Sequence, residues 1–196
     1  GASGTWTLEQ QMQATAAGLW PTNAPFYIED VFSTWLYTGN GSTQTINNGI
    51  DLAGKGGMVW FKRRNATEQN NIYDSARGWD AGGELITNTT DAAQDKGSGY
   101  FSVSGTGFSF PTAVYNGSGA TYASWAFRKQ PKFFDVVTWT GDGTTPRNIS
   151  HNLGSVPGCV IVKMLTDSGY SWQVYHRGLT SAAYRVELDT TGAETT

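Results

Sequence analysis

A chain of 196 residues is long enough for one large or two small cored domains, and 25 Gly with only 15% charged side chains exclude a fold of long solvated helices in favour of many short strands and turns. The net charge of -3, from 13 basic and 16 acidic residues scattered along the chain, excludes a basic phosphate track, so no nucleic-acid partner is expected. Disorder is excluded by 8 Trp, 9 Tyr and 9 Phe, an intrachain disulfide by the lone Cys159, and membrane insertion by the lack of any apolar run near ~20 residues.

The opening "TWTLEQQMQATAAGLWP" predicts a helix, with Thr7 as its cap, Gln10 completing a capping box and Pro21 closing it. Leu8, Met12, Ala16 and Leu19 fall at helical spacing and form an apolar stripe. So short a helix is marginal alone, so the stripe must rest on its own domain or on symmetry mates around a shared axis. Residues 1–36 thus form an N-terminal helix and linker for attachment or oligomerisation.

From Tyr37 the signals are those of strands. "GGMVWFKRR" predicts a core strand emerging into solvent at Lys62, Arg63 and Arg64, and "YFSVSGTGFSF" a hairpin or bulged bend at Gly105 and Gly107. "TYASWAFRK" predicts a two-faced strand with Ala123, Trp125 and Phe127 turned inward. Pro131 marks a boundary, so residues 37–130 constitute a first antiparallel β-sandwich in an all-β chain. Beyond it, "FFDVVTWT" restarts a strand, and "GCVIVKML" supplies an apolar one with Cys159 as a small buried hydrophobe. "YSWQVYHR" and "YRVELD" complete the series.

The chain repeats itself. "YTGNGSTQTI" from Tyr37 returns as "WTGDGTTPRNI" from Trp139, so that Ile46 meets Ile149, Asn48 meets His151 and Ile50 meets Leu153. Further on, Lys62 falls over Lys163, Tyr73 over Tyr175, Gly78 over Gly178 and Leu85 over Leu188. A period near one hundred residues suits a whole small domain duplicated in tandem. Counterparts of "GYFSVSGTGFSF" and "TYASWAFR" would fall beyond Thr196, so residues 131–196 are expected to be the beginning of a second sandwich, with the absent strands supplied by continuing polypeptide or from elsewhere. Asn40 and Asp142, each set between glycines, suit tight turns rather than a phosphate cradle.

Chemistry is sparse. His151 and His176 take the places of Asn48 and Asp74 in the first copy, which argues for hydrogen-bonding roles over a two-histidine metal site. No GxSxG elbow or DxDxDG loop occurs, so no catalytic residue, metal or cofactor is expected. Trp79, Tyr100, Tyr115, Tyr122, Tyr170 and Trp172 lie among Asn, Ser, Thr and Gly, a mixture suited to stacking on sugars and hydrogen-bonding their hydroxyls; filling a sandwich core is the other use for such rings.

Taken together, "YTGNGSTQTINNGIDL", "GGMVWFKRRN", "YNGSGATYASWAFRKQPKFFDVVTWTG", "SHNLGSVPGCVIVK" and "SWQVYHRGL" resemble a family of domains repeated in tail-fibre and other virion proteins of bacteriophages, particularly marine ones. The likeness runs from Phe32 to Thr196. It implies a concanavalin-like or SPRY-like β-sandwich and a virion location, on the tail or particle surface, beside other virion or tail proteins. It further implies a homo-oligomer, a trimer, with Leu8, Met12, Ala16 and Leu19 at the interface, and contact with host surface glycans. The alternatives are a purely structural adaptor, capsid fibre or decoration protein, and a polysaccharide depolymerase; the expected role involves no chemical turnover.

Overall fold

Thr7 opens the first helix as expected: its Oγ1 accepts the Gln10 amide at 3.2 Å while Gln10 Oε1 accepts the Thr7 amide at 2.9 Å. The computed structural model describes residues 7–17 and 26–196, and helix α1 covers Leu8–Ala16. Leu8, Met12 and Ala16 are exposed; Leu19 and Pro21 lie outside the described residues. A second short helix, α2 (Leu52–Lys55), begins where Asp51 Oδ1 accepts the Gly54 amide at 2.8 Å.

The rest is all-β, in several antiparallel sheets. The strands are β1 (Phe32–Thr38), β2 (Gln44–Asn47), β3 (Gly57–Arg63), β4 (Asn70–Asp74), β5 (Leu85–Ile86), β6 (Ser102–Ser104), β7 (Gly107–Phe110), β8 (Thr121–Arg128), β9 (Cys159–Val162), β10 (Gln173–His176) and β11 (Val186–Glu187). They form one five-stranded sheet in the order β1-β8-β3-β4-β5, and two of three strands, β2-β7-β6 and β11-β10-β9. β1 begins at Phe32, inside residues 1–36 expected to form the N-terminal helix and linker.

One core cluster draws side chains from two sheets: Tyr37, Val59, Phe61, Tyr73, Tyr122 and Ala126 from the five-stranded sheet, Ile46, Phe108 and Phe110 from β2 and β7. The expected facing of β8 is therefore reversed. Rings from β3, β4 and β7 already crowd the space, with Phe61 edge-on to Phe110 at 5.0 Å and Tyr73 stacked on Phe101 at 4.6 Å. Beside them β8 presents the slim Ser124 and Ala126, with Tyr122 stacked on Tyr37 on the same face. Trp125 turns to the other side against Trp60, and Phe127 lies there against Phe32 and Phe134.

Close passage of β8 and of the turn before it dictates two glycines. A Cβ on Gly57 would sit 2.0 Å from the Phe127 carbonyl oxygen, and one on Gly39 would sit 2.2 Å from that of Gly117.

The second repeat reproduces the first in hydrogen-bonding detail. Pairing of Val59 with Tyr73 recurs as Val160 with Tyr175, and Met58 with Asp74 as Cys159 with His176. The Ser75 amide donates to the Gly57 carbonyl at 2.9 Å, and the Arg177 amide to that of Gly158 at 2.8 Å. Asn40 Oδ1 accepts the Ser42 amide at 2.9 Å, and Asp142 Oδ1 accepts that of Thr144 at 2.9 Å. Asn48 Oδ1 accepts from Ile50 at 3.2 Å, and His151 Nδ1 from Leu153 at 3.2 Å, so the imidazole replaces the amide side chain in holding its turn. One alignment shifts: the register sets Leu85 over Val186, and Leu188 matches Thr87.

Two expectations for this half fail for one physical reason. "FFDVVTWT" forms no strand, and Trp139 is exposed rather than buried like its counterpart Tyr37. Cys159 is likewise exposed. In the first repeat β8 pairs with both β1 and β3; the described second repeat has no such strand to pair with residues 134–140 or to cover β9.

Candidate functional site

Trp79 and Tyr115 are half-buried against the first core. Gly78, with φ 85°, turns the chain into a 3-10 turn over Trp79–Gly82, and Trp79 itself has φ 58°. That left-handed backbone is costly for a bulky residue, and the ring's contact with Phe101 at 5.9 Å holds it there. Asp80 anchors the facing loop: its carboxylate accepts the Gly99 amide at 2.5 Å, the Tyr100 amide at 3.2 Å and the Phe101 amide at 3.0 Å. Tyr100, half-buried, is thereby fixed beside Phe101.

Tyr115 packs against Phe61 at 5.1 Å and Tyr73 at 6.3 Å. Its hydroxyl donates to Glu84 Oε2, and Lys96 Nζ lies 3.2 Å from Glu84 Oε1. The Glu84 carboxylate is thus buried and held between one phenol and one ammonium. Burial, and then the hydrogen bond to Glu84, pushes the Tyr115 hydroxyl far above the usual tyrosine range. Burial, followed by the Glu84 charge, does the same to Tyr73. Trp79, Tyr100 and Tyr115 are thus half-buried and the Lys96 ammonium partly exposed, while the Asp80 and Glu84 carboxylates are committed to internal bonds.

The remaining candidates lie elsewhere. Tyr122 is buried and stacks on Tyr37 at 4.9 Å, so it serves the core and presents no face to a glycan. Trp172 is buried too: it packs on Ile72 and Leu85, with Met58, Trp60, Ala93 and Leu165 around it, and its Nε1 donates to the Ile86 carbonyl at 3.0 Å. It joins the repeats instead of meeting solvent. Tyr170 is exposed.

Lys96 is a residue that sequence reasoning passed over, and sequence spacing did not reveal the partners of Asp80 and Glu84. Asp80 follows the "RGW" turn, a position that signals local capping, but Glu84 meets Tyr115 and Lys96 only through tertiary structure. His151 and His176 each accept a backbone amide through Nδ1, from Leu153 at 3.2 Å and from Gly178 at 3.1 Å. Among the described residues, no three His, Cys, Asp or Glu side chains gather as a metal site.

No curated protein and no solved structure matches the chain. Residues 28–196, both repeats included, match the model of a family described as a domain of unknown function, DUF7483. The chain belongs to the DUF7483 family.

Proposed function

We propose that the protein is a bacteriophage virion component of the tail-fibre or adhesion apparatus, built from concanavalin-like or SPRY-like β-sandwich repeats and acting by spacing and display. The observation that carries this reading is the junction at Trp172, where one repeat is seated on the next by a buried indole and a 3.0 Å hydrogen bond. A junction of that kind transmits orientation from module to module, as a display arm must. The motifs shared with repeated phage fibre domains support the same assignment. The core drawn from two sheets supports the sandwich, and the exposed Leu8, Met12 and Ala16 support trimer formation through α1.

Cryo-electron microscopy of particles carrying a tagged copy of this chain tests the proposal. Density at a tail fibre or adhesion collar is expected, and absence of the chain from purified particles would overturn it. A glycan array then separates host attachment from a purely structural adaptor, capsid fibre or decoration protein. The burial of Tyr122 and Trp172 favours the structural role, and the partial exposure of Trp79, Tyr100 and Tyr115 favours glycan contact. Loss of viscosity of host capsular polysaccharide on incubation with the protein would instead mark a depolymerase.

A further inference from the structure

We infer that β1 is a dimerisation edge, on which β1 of a second copy of this chain pairs antiparallel about a two-fold axis at Thr34. The Arg128 amide donates to the Val31 carbonyl at 2.8 Å, and the Gly39 amide to the Ala120 carbonyl at 2.7 Å. Antiparallel ladders alternate, so between these points Ser33, Trp35 and Tyr37 turn their backbone groups to β8, while Phe32, Thr34, Leu36 and Thr38 turn theirs away from it. Gln44 Nε2 donates to the Thr38 carbonyl at 3.1 Å, which closes that end. The backbone N–H and C=O groups of Phe32, Thr34 and Leu36 meet no partner among the described residues.

Nothing within β1 blunts this edge. Exposed edges are ordinarily protected by a charge, a proline, a bulge or a very short strand. "FSTWLYT" has no charge, proline or glycine, and its register with β8 is unbroken from Phe32 to Thr38. Among the described residues, β1 has 7 residues, whereas the other strands that end a sheet have 2 (β5, β11), 3 (β6) or 4 (β2, β9). Both of its faces are uncovered as well, with Trp35 41% exposed on one and Leu36 59% exposed on the other.

A copy of β1 is the occupant that fits. Phe32, Thr34 and Leu36 are symmetric about Thr34, so setting Thr34 against Thr34 and Phe32 against Leu36 uses every free group and asks nothing of Thr38. Trp35 then lies across from Ser33, which is slim enough to leave the indole room, and neither strand brings a like charge to the pairing. The face that carries Leu36 and Phe32 continues on β8 through Ala123, Trp125 and Phe127; Trp125 meets Trp60, which packs on the Trp172 cluster. The added strand thus extends an apolar face that already seats the second repeat. Pairing with the opposite end of the same sheet is closed, because β5 is buried and its Ile86 carbonyl accepts the Trp172 indole. The contact therefore joins like to like, closes at two chains, and is separate from α1.

Sedimentation equilibrium of the full chain carrying Leu8→Ser and Met12→Ser isolates this contact from any through α1, and its mass should rise with concentration to twice that of one chain. Adding Thr34→Lys, which opposes two charges on the axis, should return the mass to that of one chain with an unchanged circular dichroism spectrum. Thr34→Pro, which removes the central donor without touching the ladder to β8, should do the same. In a Cys159→Ser background, Thr34→Cys should oxidise to a covalent dimer at least tenfold faster than Trp35→Cys or Thr38→Cys. A mass of one chain at every concentration, a doubled mass that survives Thr34→Lys, or faster crosslinking through Trp35→Cys overturns the inference. A threefold mass of the unmodified chain that Thr34→Lys leaves unchanged also overturns it, and leaves the α1 trimer standing.

Discussion

The Trp172 indole donates to the Ile86 carbonyl at 3.0 Å across the junction of the two repeats, at the strand position where the first repeat carries Asn70. A residue that hydrogen-bonding pattern marks as equivalent has thus become the anchor between modules.

Trp172→Ala should destabilise the protein by about 3–5 kcal/mol, through lost apolar burial and the cavity left behind. Trp172→Phe keeps much of the packing and should cost about 1–3 kcal/mol, because the Ile86 carbonyl loses its donor. Urea denaturation measures both. Trp139→Ala, at an exposed site, is the control, and a Trp172→Ala loss no larger than the control's would refute the anchor role.

Gly57→Ala and Gly158→Ala should behave oppositely in the isolated chain. At Gly57 the methyl group would lie 2.0 Å from the Phe127 oxygen, so the β3–β8 pairing must separate at a cost above ~3 kcal/mol. At Gly158 the nearest atom is the flexible Arg177 side chain, and the change should stay within ~0.5 kcal/mol. Thermal melts of the two variants decide it.

Asp74 and Arg77 form a buried ion pair at 2.7 Å, and Arg77 also donates to the Gly82 and Gly83 carbonyls at 2.8 Å each. Removing either partner should cost about 3–5 kcal/mol. The double change Asp74→Leu with Arg77→Met should not recover this loss, because both glycine carbonyls remain without their donor. Recovery to wild-type stability in guanidinium titration would show that the pair alone mattered.

Alkali should unfold the protein. Burial raises the hydroxyls of Tyr37, Tyr73 and Tyr115 above their usual range, with the Tyr122 and Glu84 neighbours adding to it. Below the unfolded value near pH 10 these groups are neutral in both states, and their contribution is intact. Above it only the unfolded chain loses the protons, so stability falls as pH rises, by up to ~1.4 kcal/mol per pH unit for each fully protected tyrosine. Absorbance at 295 nm should show three of the 9 tyrosines ionising only together with loss of near-ultraviolet dichroism. Smooth ionisation of all of them in the folded protein would contradict this.

Features set by neighbouring residues were legible from sequence: the Thr7–Gln10 box, the Gly105–Thr106 hairpin, and the paired turns at Asn40 and Asp142. Lys62 and Lys163, aligned in the sequence, each reach a backbone carbonyl a few residues on, Glu68 and Tyr170. The inward face of β8 was not legible, since both its faces carry apolar residues and only the rings arriving from other strands decide which one has room. Exposure of Cys159 escaped for a similar reason: burial of β9 depends on strands outside its own stretch. The candidate aromatics announced themselves, but the pairing of Glu84 with Tyr115, 31 residues away, could not be read from spacing.

Phe32 at the start of β1 stands directly across from Phe127 near the end of β8, their rings 4.9 Å apart. The polypeptide therefore enters and leaves the first module through neighbouring points, and the module hangs from its chain like a bud on a stem. Excising it would open a gap of only about 5 Å, one strand spacing. Copying such a unit in tandem asks almost nothing of the flanking backbone, which gives gene duplication an easy route to a longer protein.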